Sequence, residues 1–254
     1  MPAMEFTGDI AALQQGMART RDLAQRRLAI LHEIAPARGG RIIEIGCGAG
    51  LLLREIALAT GPHGLAAGID VSPDQVAAAE AETAGVPGVR VEVADAAALP
   101  FPDAVFDAGI AAHVLEYLDD PPAALRAMRR VLKPGARLVV LATNWDADFW
   151  HGTAPETAAP VLAAWRAEMH WPNLPARLGP MMIEAGFTGL RQVPVPVVNT
   201  SLGEDQMAPW MARIMAAHAG GEAGTPWLRE MAASDGSGEI FYSSVPILTT
   251  ATAA

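Results

Sequence analysis

The residues with chemistry to offer gather in the first half of the chain, beginning with E-I-G-C-G-A-G at positions 44–50. Gly46, Gly48 and Gly50 alternate. Glycine at alternate positions allows positive φ and removes Cβ atoms, so backbone can close on a bound molecule at the end of a strand. A dinucleotide fingerprint would need a third glycine at position 51, where this chain has Leu51. Glu44 stands two positions before the first glycine. Its carboxylate would repel a pyrophosphate and attract a ligand carrying positive charge, directly or through water. Asp70 follows the last glycine by about 20 residues, the separation that sets a strand-end carboxylate on a ribose diol. Helix N-capping is its other possible use, but Ser72 ahead of Pro73 fills that role better.

These residues need strands to hold them. Ile42, Ile43 and Ile45 make a β-branched run suited to a buried parallel strand, and the apolar stretch 51–59 opens a helix. A second strand spans 64–72, and Val89, Val91 and Val93 alternate as a third that leads to Asp95. A fourth, within 104–112, opens onto His113. A helix at 121–132, a Pro-Gly turn and a fifth strand follow. Strands alternating with helices predict an open α/β sheet with ligands at the carboxyl ends. Before the sheet, apolar spacings over 9–34 predict one or two helices, with Asp9 as a possible N-cap. Beyond it, 174–185 reads as a helix stopped by Gly186, and 187–198 as a strand that Pro194 and Pro196 limit to an edge or a non-strand in its later part. Met207, Trp210, Met211, Ile214 and Met215 form an apolar helix stripe, 220–224 a turn, 227–231 a helix, and 240–250 a last strand.

The chain has 254 residues, enough for one elaborated α/β domain. A net charge of −10 with scattered basic residues argues against a nucleic-acid surface; the Arg126, Arg129, Arg130 and Lys133 group reads as a solvated helix face. Cys47 is the single cysteine, so neither an intramolecular disulfide nor a thiolate metal cluster can form, as suits a reducing cytoplasm. No run approaches the roughly 18 apolar residues of a membrane span, and the first ten residues lack the pattern of a secretory signal.

The segment E-I-G-C-G-A-G, with Asp70 and Asp95 at later strand ends, resembles the first motifs of class I S-adenosylmethionine-dependent methyltransferases. Within them it is most similar to the small-molecule group that includes the quinone-biosynthesis C-methyltransferases, over about 41–140. The resemblance implies a Rossmann-like, doubly wound, seven-stranded sheet, mostly parallel with the last strand antiparallel, under a helical lid. It implies one domain over 1–254, comprising a helical cap at 1–38, a cofactor-binding core at 39–143, substrate-side insertions at 144–235 and the last strand at 236–254. The implied cofactor is S-adenosylmethionine, leaving as S-adenosylhomocysteine. Glu44, Gly46, Cys47, Gly48 and Gly50 would surround its methionine end, Asp70, Val71 and Gln75 its ribose, and Asp95 and Ala96 its adenine, with Ala112 beside them. Arg19 and Arg21 are candidate contacts for its carboxylate.

His113 would face the methyl group as a general base, a hydrogen-bond donor or a packing residue, and the sequence leaves the three open. Four of the six tryptophans lie between positions 145 and 171. Trp145 and Trp150, with Trp210, are candidates for the substrate side, cap packing being the alternative for each. A catechol-type metal site would draw on Asn144, Asp146 and Asp148, but such residues populate turns anyway, and no metal is expected. The expected activity is methyl transfer to a small, aromatic or apolar metabolite, in a setting such as secondary metabolism. The acceptor atom (O, N or C) and oligomeric state stay open. The competing readings are a catalytically silent cofactor-binding module and a nicotinamide-dependent reductase, the latter disfavoured by Leu51 and Glu44.

Overall fold

The computed structural model describes residues 8–254; the first seven residues, on which the reading of the N-terminus and the start of the 1–38 cap fall, lie outside them. The apolar run expected at the start of the sheet forms β1 (Arg41–Ile45), with four of five residues buried. It lies between β2 (Leu65–Asp70) and β4 (Phe106–Ala112), parallel to both. β3 (Val89–Val93) pairs with β2 and β5 (Leu132–Thr143) with β4, again in parallel. β10 (Pro246–Ala253) runs antiparallel between β5 and β7 (Phe187–Pro194), giving the order β3-β2-β1-β4-β5-β10-β7. Strand order reverses between β1 and β4, and the crevice outside their carboxyl ends is where this architecture holds ligands. Helices α3 (Leu51–Thr60), α4 (Pro73–Glu82), α5 (Pro121–Val131) and α7 (Leu174–Glu184) complete the layers. Ser72 caps α4 by accepting from the Gln75 amide, and Asp120 caps α5 by accepting from that of Ala123.

Over the strand ends lie α1 (Gly8–Ala18), α2 (Arg21–Ile34), α6 (Pro155–Glu168), α8 (Met207–Ala219) and α9 (Gly221–Ser234). α1, α6, α8 and α9 share a core of their own, in which Val161, Trp165, Met207, Met211, Met215, Trp227 and Tyr242 are buried, whereas Ile30 and Ile34 of α2 pack in the core of the sheet. The N-terminus of α8 has no local side-chain cap. Asp22 of α2 supplies one from a distance, its Oδ2 accepting from the Met207 amide at 2.8 Å and from Asn199 Nδ2 at 2.9 Å. This ties α2 to α8 through buried, charge-assisted hydrogen bonds.

Several expectations need correction. Asp9 sits in the first turn of α1. The Pro-Gly turn at 134–135 is taken up as an irregularity within β5, where Phe106 pairs with Leu132 but Ala108 with Arg137. The stretch 187–198 divides at Pro194, a residue without an N–H to continue the ladder, and 240–250 divides before Pro246. Its two halves serve different sheets. β8 (Val197–Asn199) and β9 (Phe241–Ser244) join β6 (Phe149–His151) in a separate three-stranded sheet, order β6-β9-β8. The expected turn at 220–224 is instead largely the first turn of α9, begun by Gly220 at φ 84°. Among the described residues, no helix is long and apolar enough to cross a membrane.

Candidate functional site

At the β1–β4 reversal the chain encloses a cavity of about 790 Å³, walled by the glycine turn, the ends of β1, β2 and β4, and residues of α1, α2 and α8. Glu44 lines it from β1 and is 3 % exposed, and its Oε2 has no hydrogen-bond partner. Burial pushes its carboxyl well above the ordinary range, helped by Asp70 and Glu55 and opposed by Arg27. A buried carboxylate in this condition would be relieved by a cationic ligand.

The turn supplies the space. At Gly50 (φ 80°) a Cβ would lie 2.8 Å from Ala79 Cα, so the close approach of α3 to α4 requires glycine. Gly48 (φ 50°) has nothing within 4 Å of a Cβ position, which is open room beside the cavity. Gly46 and Cys47 complete the turn. The Cys47 thiol is buried, and its pKa is pushed up by burial and then by Glu44 and Asp70, which leaves it protonated.

Asp70 spans the two turns. Its Oδ2 accepts from the Gly48 amide and its Oδ1 from the Ser72 amide, each at 3.0 Å. Val71 is exposed beside it. Gln75 is buried, donates from Nε2 to Gln14 Oε1 of α1 at 3.4 Å, and leaves its Oε1 without a partner. Asp95 Oδ1 accepts from the Ala97 amide at 2.8 Å, and Ala96 is buried next to it. Ala112 lines the same wall. The structure thus brings together around one cavity the residues of the glycine turn and of the three strand ends expected near a cofactor.

Next to Ala112 the wall is organised by His113. Its backbone is left-handed (φ 55°), uncommon outside glycine, and its amide donates to Leu141 O at 2.8 Å. Nδ1 lies 3.3 Å from Glu116 Oε1 and 3.4 Å from Thr143 Oγ1, while Nε2 lies 3.5 Å from Arg26 Nη1. Glu116 is fully buried and accepts from the Thr143 amide. Arg26 is 3 % exposed; burial lowers its pKa, opposed by Tyr242, Asp148, Asp22 and Glu116.

Not every aromatic candidate reaches this space. Trp145 lines it and meets Trp165 edge to face, centroids 5.5 Å apart. Trp150 does not line it. It packs on Tyr242 at 4.1 Å and Trp227 at 5.3 Å, because β6 turns it into the lid's core. Trp210 is also outside, donating from Nε1 to Glu204 O at 2.9 Å under the Arg213 guanidinium. Arg19 pairs with Glu82 and Arg21 with Asp205, and neither lines the cavity. Asp146 pairs with Arg166 and Asp148 accepts from Tyr242, and no group of His, Cys, Asp and Glu among the described residues could hold a metal ion. Sequence reasoning missed Arg26, Arg27, Thr143 and Trp165 in the wall, and Glu116 buried behind His113. An Arg pair inside an apolar-spaced helix was the available signal for the first two; Glu116 and Thr143 meet only in space.

Residues 43–140 match the family model described as a methyltransferase domain. The chain is similar to a ubiquinone/menaquinone biosynthesis C-methyltransferase from Geobacter sulfurreducens, 37% identical over 41% of this chain and 42% of that protein. It is also similar to an O-methyltransferase from Aspergillus nomiae, 36% identical over 50% of this chain and 58% of the relative. The chain therefore spans only about half the length of these relatives. Among solved structures, the 4+2 cyclase SpnF superposes with a TM-score of 0.60 at 27% identity, covering 90% of this chain and 81% of the cyclase.

Proposed function

We propose, for a chain whose residues 43–140 belong to the methyltransferase domain family, that it binds S-adenosylmethionine and methylates a small aromatic or apolar acceptor. The observation that carries this reading is the buried Glu44 carboxylate, left without a partner on Oε2 beside a glycine turn with room at Gly48. Glu44 would take the α-ammonium, Asp70 and Gln75 the ribose hydroxyls, and Asp95 with Ala96 the adenine edge. When bound, the cofactor supplies a methyl group already activated on a sulfonium. The chain's own work is to hold the acceptor in line and keep water out, and α1, α2 and α8 supply the cover. We read 1–38 and 144–235 as that cover and 39–143 as the core of one working unit, set in a reducing cytoplasm with Cys47 kept as a thiol.

Calorimetric titration with S-adenosylhomocysteine, and separately with NADH, tests the cofactor. Asp70→Asn should weaken product binding by about 1–3 kcal/mol, since a charge-assisted pair of acceptors is lost. Unchanged affinity in the folded variant, or binding of NADH alone, would overturn the assignment. The similarity to a cyclase supports a second reading, a cofactor-binding scaffold without methyl transfer. Tight product binding with no turnover across phenol, amine and carbon-acid acceptors would favour it.

A further inference from the structure

The groups around His113 assign its tautomer. Arg26 has only N–H groups to offer, so Nε2 meets Nη1 at 3.5 Å with its lone pair. The ring proton then sits on Nδ1, between the Glu116 carboxylate and Thr143 Oγ1. Glu116 is in turn held by the Thr143 amide and shut away from solvent. The result is an imidazole oriented by a buried acid, with an accepting nitrogen at the cavity wall and a guanidinium beside it.

A separation of 3.5 Å is long for a hydrogen bond, and both side chains line the cavity. An oxygen brought to this pair can donate its proton to Nε2 while accepting from Nη1. We infer that the acceptor end of the cavity takes an ionisable hydroxyl, a phenol or an enol, with His113 and Arg26 as the two groups that touch its oxygen. This inference rests on the methyl-transfer reading above. The proton leaves the hydroxyl for Nε2, the O–H electron pair stays on oxygen, and the resulting oxyanion is held by Arg26 Nη1; the imidazolium later returns the proton to water. Glu116 and Thr143 are positioning residues.

Charge decides the class of acceptor. An ammonium would face the Arg26 cation, whereas an oxygen that becomes negative gains from it. The groups facing Arg26 are Asp22 from its own helix, Glu116 from the turn after β4, Asp148 from the turn before β6, and Tyr242 from the small sheet. Even so, Arg26 Nε and Nη2 have no hydrogen-bond partner, so its charge is not spent in fixed pairs. Tyr117, Trp145, Trp165, Met207, Met211 and Ile214 supply an apolar wall of a size for a flat ring.

The test uses para-nitrophenol, whose absorbance separates phenol from phenolate, titrated with the full chain saturated in S-adenosylhomocysteine. Bound probe should ionise at lower pH than free probe, and Arg26→Gln should abolish that shift and weaken phenolate binding at least about tenfold. Arg26→Lys should restore part of it, and His113→Gln should leave the bound probe as phenol through the pH range where the parent ionises it. Glu116→Gln should move the ionisation without changing affinity for nitrobenzene, a separation that general loosening of the fold would not produce. Benzylamine should compete at least about tenfold more weakly than the phenol. An unshifted probe, a shift that survives both Arg26→Gln and His113→Gln, or equal competition by benzylamine would each overturn the inference. Product binding is measured in the same samples. Its loss in the parent would sink the methyl-transfer reading, while an unshifted probe in a product-binding protein would sink this inference alone.

Discussion

Gly48 and Gly50 occupy one turn for different reasons, and substitution separates them. At position 50 a methyl group meets the backbone of Ala79, which cannot move aside without shifting α4. Gly50→Ala should therefore cost about 2–4 kcal/mol of stability, left-handed backbone and overpacking combined, read from the denaturant midpoint. Gly48→Ala meets only open space, so its stability cost should stay near 1 kcal/mol while S-adenosylhomocysteine affinity falls at least about tenfold. Equal losses of stability in the two variants would contradict the division. Spacing announced all three glycines, but it did not say which serves the ligand and which the packing. The same limit applies to the tryptophans. Trp145 and Trp150 read alike in the chain, yet one lines the cavity and the other is packed on Tyr242.

The small sheet joins α2 through Asp148, Tyr242, Ser244 and Arg26. Burial raises Asp148 from its ordinary value of 3.8 to about 6, opposed by its contacts with Ser244, Arg26 and Tyr242. The folded state thus holds a proton that the unfolded chain has released, so stability is full below about pH 4, falls as pH rises toward 6, and is level above. Asp148→Asn should remove that slope and raise stability at pH 7 by about 2–3 kcal/mol, as measured by urea unfolding at several pH values. A slope that survives the substitution would assign it to other groups. None of this junction was legible in the sequence. β6 and β8 are three residues each, too short for an alternating pattern, and their partner β9 lies far along the chain. The main sheet was legible because β1 to β5 carry β-branched and apolar runs bounded by glycine, proline and acidic residues.

The whole molecule is a sheet with its own two-faced core and a cover with a separate one. The cavity lies between them, so a ligand there touches both. Product binding should slow amide exchange in α1 and α2 as well as in the glycine turn, because Gln14 and Arg27 share the cavity wall with Glu44. Hydrogen exchange by mass spectrometry would show it, and protection confined to the turn would mean that the cover does not close on the ligand. The surroundings of the His113–Arg26 pair were hidden in the sequence even though a helical cover was expected from it. They are built from α2, the turn after β4 and the small sheet, which only the fold assembles.

One connection bears on how the chain reaches this form during synthesis. β9 is the middle strand of the small sheet, and β10 separates β5 from β7 in the large one. Both sheets therefore wait for the same stretch, 241–253. Until it leaves the ribosome, β5 keeps an open edge, β7 has no neighbour, and β6 and β8 have nothing between them. The parallel core can form early, but the nascent chain carries unpaired strand edges until 241–253 has been made, an interval in which a chaperone or a stray partner would find them.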